Sequence, residues 1–163
     1  MSKVASRISV KQASMSDSKE IGSLWAQLVK HTSVLVPDYG LVKNYAKLCF
    51  RHVVSLLKSE KGIFLVAFDR NENSIVGYMY CNIKKNKPVY KLSRIGNVAS
   101  LFVLPAYRKM GVGTSLKSAA LKWFRSKGIK FVELEVLSCN SPAFSAYEKW
   151  GFVDFRRRLR IRL

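Results

Sequence analysis

One stretch of this sequence orders its residue types in a way that implies chemistry: Val103-Leu-Pro-Ala-Tyr-Arg108-Lys109-Met110-Gly111-Val112-Gly113-Thr114. An apolar run ends at Pro105, a basic loop follows, and two glycines lead into apolar residues at helical spacing. A helix start leaves unpaired N–H groups and a partial positive charge facing outward. Glycine lets an anion approach that backbone with no Cβ in the way. Arg108 and Lys109 add full charges. The arrangement suits a phosphate or pyrophosphate. No Gly-Lys-Ser/Thr follows, so it is not a nucleotide-triphosphate P-loop. Leu116 stands where a dinucleotide fingerprint needs its third glycine.

The elements that must position this stretch can be read from periodicity. Residues 7–13 read as a strand. Asp17 is expected to cap a helix, with Glu20 as its capping-box partner and Ile21, Leu24, Trp25 and Leu28 recurring at helical spacing. Pro37 to Gly40 is a turn. A second helix carries Leu41, Tyr45, Leu48, His52 and Leu56 on one face. Residues 63–68 and 74–83 form a hairpin, followed by the basic loop Lys84 to Pro88 and a strand over 98–104. The helix opened by Gly111 and Gly113 runs to Gly128, with Leu116, Ala120, Trp123 and Lys127 on one stripe. A strand over 131–137 follows. Ser141 is expected to cap a short helix that has Pro142 in its first turn and ends at Gly151. Residues 152–163 alternate apolar with arginine and read as a final half-buried strand. The order β-α-α-β-β-β-α-β-α-β describes α/β architecture: a single mixed, mostly antiparallel sheet flanked by helices, one domain over residues 1–163.

Two motifs in this frame resemble a known family. Arg108-x-x-Gly111-x-Gly113 is similar to the Gln/Arg-x-x-Gly-x-Gly/Ala motif of the GCN5-related N-acetyltransferase (GNAT) superfamily. Further along, Asn140-Ser-Pro-Ala143-Phe-Ser-Ala-Tyr147-Glu-Lys-Trp-Gly151-Phe152 resembles its Asn-x-x-Ala-x-x-x-Tyr-x-x-x-Gly-Phe segment. The likeness covers residues 60–163 well; before that only the element order agrees. It implies a GNAT-like acyl-CoA fold that transfers an acetyl group from acetyl-CoA to an amine acceptor. Leu101, Phe102 and Val103 would then meet the pantetheine arm and thioester through their backbone. Arg108, Lys109, Met110, Gly111, Val112, Gly113 and Thr114 would hold the pyrophosphate, Asn140 would bond the cofactor, and Tyr147 would lie beside the sulfur.

The residue chemistry fits such a transfer. An amine must be neutral to attack a thioester, and the departing thiolate needs a proton. Tyr147 is the candidate acid, against the plainer reading that it packs with Phe144 as a core aromatic. Many family members carry a Glu near the end of the cofactor strand; here Ala99 and Ser100 stand there. Glu135 resembles a Glu that some protein N-terminal acetyltransferases use as base, although Glu133 and Glu135 also suit a cross-strand pairing with arginines of the last strand. The missing Glu leaves a non-catalytic acyl-CoA sensor as an alternative. His31 and His52 lack metal spacing, so no metal is expected. Cys139, with no His partner in view, reads as a small buried residue.

Charge sets the partner classes. The 163 residues hold 29 Lys and Arg against 10 Asp and Glu, a formal charge of +19. No Asp or Glu occurs from Asn73 to Val132, a stretch that holds twelve lysines and arginines. A surface of this kind faces anions. Coenzyme A is one such anion and nucleic acid another, although no helix-turn-helix, zinc-finger or RNP pattern supports a nucleic-acid module. The three separated cysteines suit a reducing compartment. With no long apolar run and no leader-like core in the first residues, a cytoplasmic protein without membrane contact is expected, as monomer or homodimer.

Overall fold

The structure, a computed structural model, describes residues 7–59 and 61–163. The first six residues, part of the stretch read above for a leader, lie outside them. Five strands form one sheet in the order β1-β2-β3-β4-β5: Ile8–Gln12, Gly62–Asp69, Ser74–Lys85, Arg94–Val103 and Val132–Leu134. The first four are mutually antiparallel, and β5 joins β4 in parallel. Among the described residues four helices accompany them: α1 Ser18–Leu35, α2 Tyr45–Ser59, α3 Val112–Ser126 and α4 Ser141–Lys149. The mixed, mostly antiparallel sheet with flanking helices is the one expected.

β2 is an unbroken apolar run because both its faces are covered. Ile63, Leu65 and Ala67 pack with Val112, Leu116, Ala120 and Phe124 of α3. Phe64 and Val66 point the other way, to Ile21 and Leu24 of α1 and Val53 of α2. Trp25 stacks on Tyr78 with ring centroids 5.7 Å apart, and the Tyr78 hydroxyl shares a hydrogen bond with Ser100 Oγ at 2.8 Å. Gly96 lets α3 close on the sheet: a Cβ there would lie 2.7 Å from the Phe124 ring.

Several local expectations are corrected. Asp17 holds the N-cap position of α1, as expected, but makes no side-chain capping bond there. It closes a box with Ser14 around a short 3₁₀ turn, its carboxylate accepting from the Ser14 N–H at 2.8 Å. Glu20 instead accepts from the Ile75 N–H at 2.8 Å, tying α1 to the start of β3. On α2 the inward face is Cys49 and Val53, while Leu48 is exposed, because α2 packs on α1 as well as on the sheet. His52 meets the edge of Trp25 at 5.1 Å. Cys139 is exposed, not buried. The last expected strand is absent. Residues 152–163 are irregular, with Phe155 71% and Leu159 91% exposed. A strand needs a partner edge, and β5 supplies only three residues before the chain leaves the sheet. Five arginines crowded into 156–162 also repel one another.

Candidate functional site

β4 and β5 run together only where Gly96, Asn97 and Val98 face Val132, Glu133 and Leu134. Beyond that point β4 continues to Val103 with β3 on one edge and no strand on the other, while the chain after Leu134 departs. The two strands therefore open a gap along Ala99 to Val103. A bulge marks its apex: Val98 opposes Cys81 and Ser100 opposes Tyr80, so Ala99 is the extra residue on β4. Bulges bend a strand and end its regular pairing. Leu101, Phe102 and Val103 line this open edge, where backbone groups turned from β3 have no strand partner.

Pro105–Tyr107 makes one 3₁₀ turn at the end of β4. Its position is fixed from below. The Tyr107 hydroxyl donates to buried Asp69 at 2.8 Å, and Arg7 Nε donates to both carboxylate oxygens at 2.7 Å. These bonds, Arg7's first, hold the Asp69 carboxyl well below the ordinary range, while the bond to Asp69 pushes the Tyr107 hydroxyl up. Arg108 then folds back: its Nε donates to the Val103 carbonyl at 3.0 Å and its guanidinium lies over the Phe102 ring at 5.6 Å. Lys109 and Gly111 both take left-handed backbone, at φ 62° and 84°. Gly111 is the N-cap of α3, no side chain caps it, and a Cβ there would meet nothing within 4 Å. The helix N-terminus is open, exposed and free of carboxylates. Its surroundings fit a pyrophosphate, and the open edge of β4 fits an amide-bearing arm leading away from it.

Gly113 also has a packing role that the sequence did not show. A Cβ there would lie 3.1 Å from the Trp150 ring, so the glycine admits the indole against α3. Lys117 sits over the same ring at 5.7 Å. Trp150 follows α4, and Tyr147 lies half-buried one turn earlier with its ring 5.6 Å from Trp150 and 6.2 Å from Phe152. Burial pushes the Tyr147 hydroxyl up, so it remains protonated at neutral pH. The N-cap of α4 is Asn140, in place of Ser141: its side-chain oxygen accepts from the Ala143 N–H at 3.3 Å. Glu135 is the residue after β5, at the mouth of the gap. Its carboxylate is exposed and pairs with Arg158 at 3.2 Å, so an arginine of the tail reaches it although no strand forms.

The structure thus assembles the open edge of β4 and the uncapped start of α3, and Trp150 links Tyr147 to that helix start. Sequence reasoning missed two supports. Asp69 reads as an ordinary turn residue, and its partners Arg7 and Tyr107 are remote along the chain. Trp150 lay inside a recognised motif without an assigned part. Among the described residues no cluster of His, Cys, Asp and Glu could hold a metal, and no helix is long and apolar enough to cross a membrane.

Comparison with known proteins agrees with this geometry. Residues 28–152 match the acetyltransferase (GNAT) family. Over 135 residues the chain is 32% identical to an N-alpha-acetyltransferase of Sulfurisphaera tokodaii, covering 80% of this chain and 75% of that one. Over 122 residues it is 38% identical to an N-alpha-acetyltransferase of Sulfolobus acidocaldarius, covering 72% and 70%. In three dimensions it is similar to a predicted acetyltransferase of Clostridium acetobutylicum solved with acetyl-CoA, with a TM-score of 0.72 at 19% identity over 95% of this chain and 96% of that one. The family match and the two relatives define an N-acetyltransferase class of enzyme. The chain belongs to the acetyltransferase (GNAT) family.

Proposed function

We propose that this protein is an acetyl-CoA-dependent N-acetyltransferase whose acceptor is the α-amine of a polypeptide N-terminus. The observation that carries the transfer is the gap along Ala99 to Val103, continuous with the uncapped start of α3. The acceptor class is supported by the two N-alpha-acetyltransferases it resembles.

In this reading acetyl-CoA lies in the gap with its pyrophosphate on Arg108 to Thr114 and its thioester beside β4. Backbone N–H groups of Leu101 to Val103 steady the carbonyl oxygen as negative charge develops there. Glu135 takes the proton of the incoming ammonium, and the neutral amine attacks the thioester carbon. The C–S bond then breaks as Tyr147 gives its proton to the departing sulfur, and the attacking nitrogen passes its extra proton to the Tyr147 oxygen, leaving a neutral amide, a free thiol and a reprotonated tyrosine. Asn140 acts mainly through the α4 cap that sets the place of Tyr147. A small amine is the second acceptor class.

The test uses two peptides with one sequence, the first with a free N-terminus and the second blocked there, both containing an internal lysine. Mass spectrometry after incubation with acetyl-CoA should show one added acetyl group on the first peptide and none on the second. Equal modification of both would move the acceptor to the side-chain amine, and modification of neither with turnover on a small amine would remove the peptide reading.

A further inference from the structure

The end of the molecule opposite the open start of α3 holds a second basic surface that the transfer reaction does not use. β4 runs ten residues from Arg94 to Val103, and at the usual rise of about 3.3 Å per residue its two ends lie about 30 Å apart. The α3 helix runs alongside it, from Val112 near the Val103 end to Ser126 near the Arg94 end. Two connections therefore meet at the far end: the β3–β4 loop, residues 86–93, and the α3–β5 loop, residues 127–131.

They are joined and internally ordered. Arg94 Nη2 donates to the Lys127 carbonyl at 3.0 Å, and the Gly96 N–H donates to the Phe131 carbonyl at 2.9 Å. Within the first loop Asn86 bridges to Ser93 by backbone and to the Leu92 carbonyl by side chain, at 2.8 and 2.9 Å. Exposed cations stand on both loops and their flanks: Lys84, Lys85, Lys87, Lys91 and Arg94 on one side, Lys127 and Lys130 on the other. None forms an ion pair with an acid of the described residues. The ion pairs of the described residues lie elsewhere, and the chain from Asn73 to Val132 carries no carboxylate.

Aromatic rings sit among these cations. Tyr90 is 55% and Phe131 61% exposed, and Val89 beside Tyr90 is 80% exposed. Neither ring packs on another aromatic side chain. Cations alone attract any polyanion. Unstacked rings between them add a preference for a polyanion with flat faces of its own. We infer that this end of the molecule binds single-stranded nucleic acid, with the lysines and arginines on phosphates and Tyr90 and Phe131 stacking on bases. An acidic peptide supplies charge but no bases, and a duplex keeps its bases stacked inside.

The experiment is a fluorescence-anisotropy titration of the full-length protein with a labelled single-stranded RNA of mixed sequence, repeated over a salt series and in the presence of saturating acetyl-CoA. Each phosphate neutralised on a single strand contributes about −0.7 to the slope of log affinity against log salt. Engagement of all seven cations corresponds to a slope of about −5. The triple variant Lys84→Glu, Lys87→Glu, Lys91→Glu should flatten the slope by about 2 and weaken binding at least tenfold. The double variant Tyr90→Ala, Phe131→Ala should weaken binding severalfold and leave the slope unchanged, because stacking releases no counterions. All these side chains are exposed, so melting temperatures and acetyl-transfer rates should match the parent. Acetyl-CoA should leave RNA affinity unchanged. Displacement of RNA by acetyl-CoA, or full affinity in the triple variant, would move the interaction to the α3 start or the arginine-rich tail and overturn the inference. Poly-glutamate or anionic vesicles binding as tightly as RNA, with the aromatic variant unaffected, would identify a general polyanion surface and overturn the assignment to nucleic acid.

Discussion

Replacing Tyr147 by Phe removes a single oxygen, and the structure separates the effects that this can have. The ring keeps its neighbours, Trp150 at 5.6 Å and Phe152 at 6.2 Å, so the packing of α4 survives. The hydroxyl has no hydrogen-bond partner among the described residues, so its loss should change stability by less than about 1 kcal/mol. The consequence for the reaction should be much larger. A hydroxyl that burial keeps protonated can deliver its proton to a departing thiolate, and a positioned acid is worth about 10²- to 10⁴-fold in rate. At about 1.4 kcal/mol per decade, the barrier should rise by about 3 to 5 kcal/mol. The interaction exists only along the reaction path, so kcat and kcat/KM should fall together while the acetyl-CoA dissociation constant stays nearly unchanged. The assay is single-turnover formation of free thiol from acetyl-CoA with a saturating acceptor, with a thermal melt of each variant as control. A Phe variant with parental single-turnover rate would leave Tyr147 as a packing residue and remove proton donation from its role.

The other residues of the site can be tested in the same way. Gly113→Asp should weaken coenzyme A binding at least tenfold in calorimetry, because its Cβ displaces Trp150 and its carboxylate opposes a pyrophosphate at the helix start; Lys117→Ala, which loses a cation–π contact worth about 0.5–1 kcal/mol, should have a smaller effect, and equal affinities would refute the placement. Glu135→Gln should lower turnover with acetyl-CoA affinity intact, since the exposed pair with Arg158 adds little stability; parental turnover would exclude Glu135 as base. Asp69 has a folded-state pKa below its unfolded value of about 3.9, so its stabilisation is complete above that pH and lost as pH falls through the folded value. Thermal melts from pH 7 downward should therefore show a steeper acid loss for the parent than for Asp69→Asn, and parallel curves would show that the Arg7–Asp69–Tyr107 network contributes nothing.

Much of the fold could be read from the sequence because its core obeys simple periodicities. The unbroken apolar run of β2 and the recurrence of Leu116 and Ala120 on α3 could be read directly, although Phe124 and not Lys127 completes the buried stripe. The failures have specific physical causes. Residues 152–163 have the alternation of a strand, but alternation states only which face is apolar and not whether an edge exists to receive it. Asn140 and Ser141 are both competent caps, and only geometry chooses between them. The pairing of Glu20 with β3 and of Asp69 with Arg7 and Tyr107 joins segments far apart in sequence, which no local pattern reports. Gly113 shows a subtler limit. The motif was legible, but the packing of the Trp150 ring against that glycine was not. The parting of β4 and β5 begins at a bulge at Ala99, which no local pattern in the sequence marks as a bulge.

The central claim is that coenzyme A occupies the gap between β4 and β5 with its pyrophosphate on the start of α3. Backbone-amide NMR during a titration with coenzyme A tests it most directly, because the N–H groups proposed to hold the ligand are themselves the reporters. The account predicts the largest shifts at Leu101, Phe102 and Val103 and at Gly111, Val112, Gly113 and Thr114, with Lys84 to Arg94 unmoved. Saturating coenzyme A that leaves the Gly111 to Thr114 amides in place, or that shifts the far-end loop instead, would contradict it.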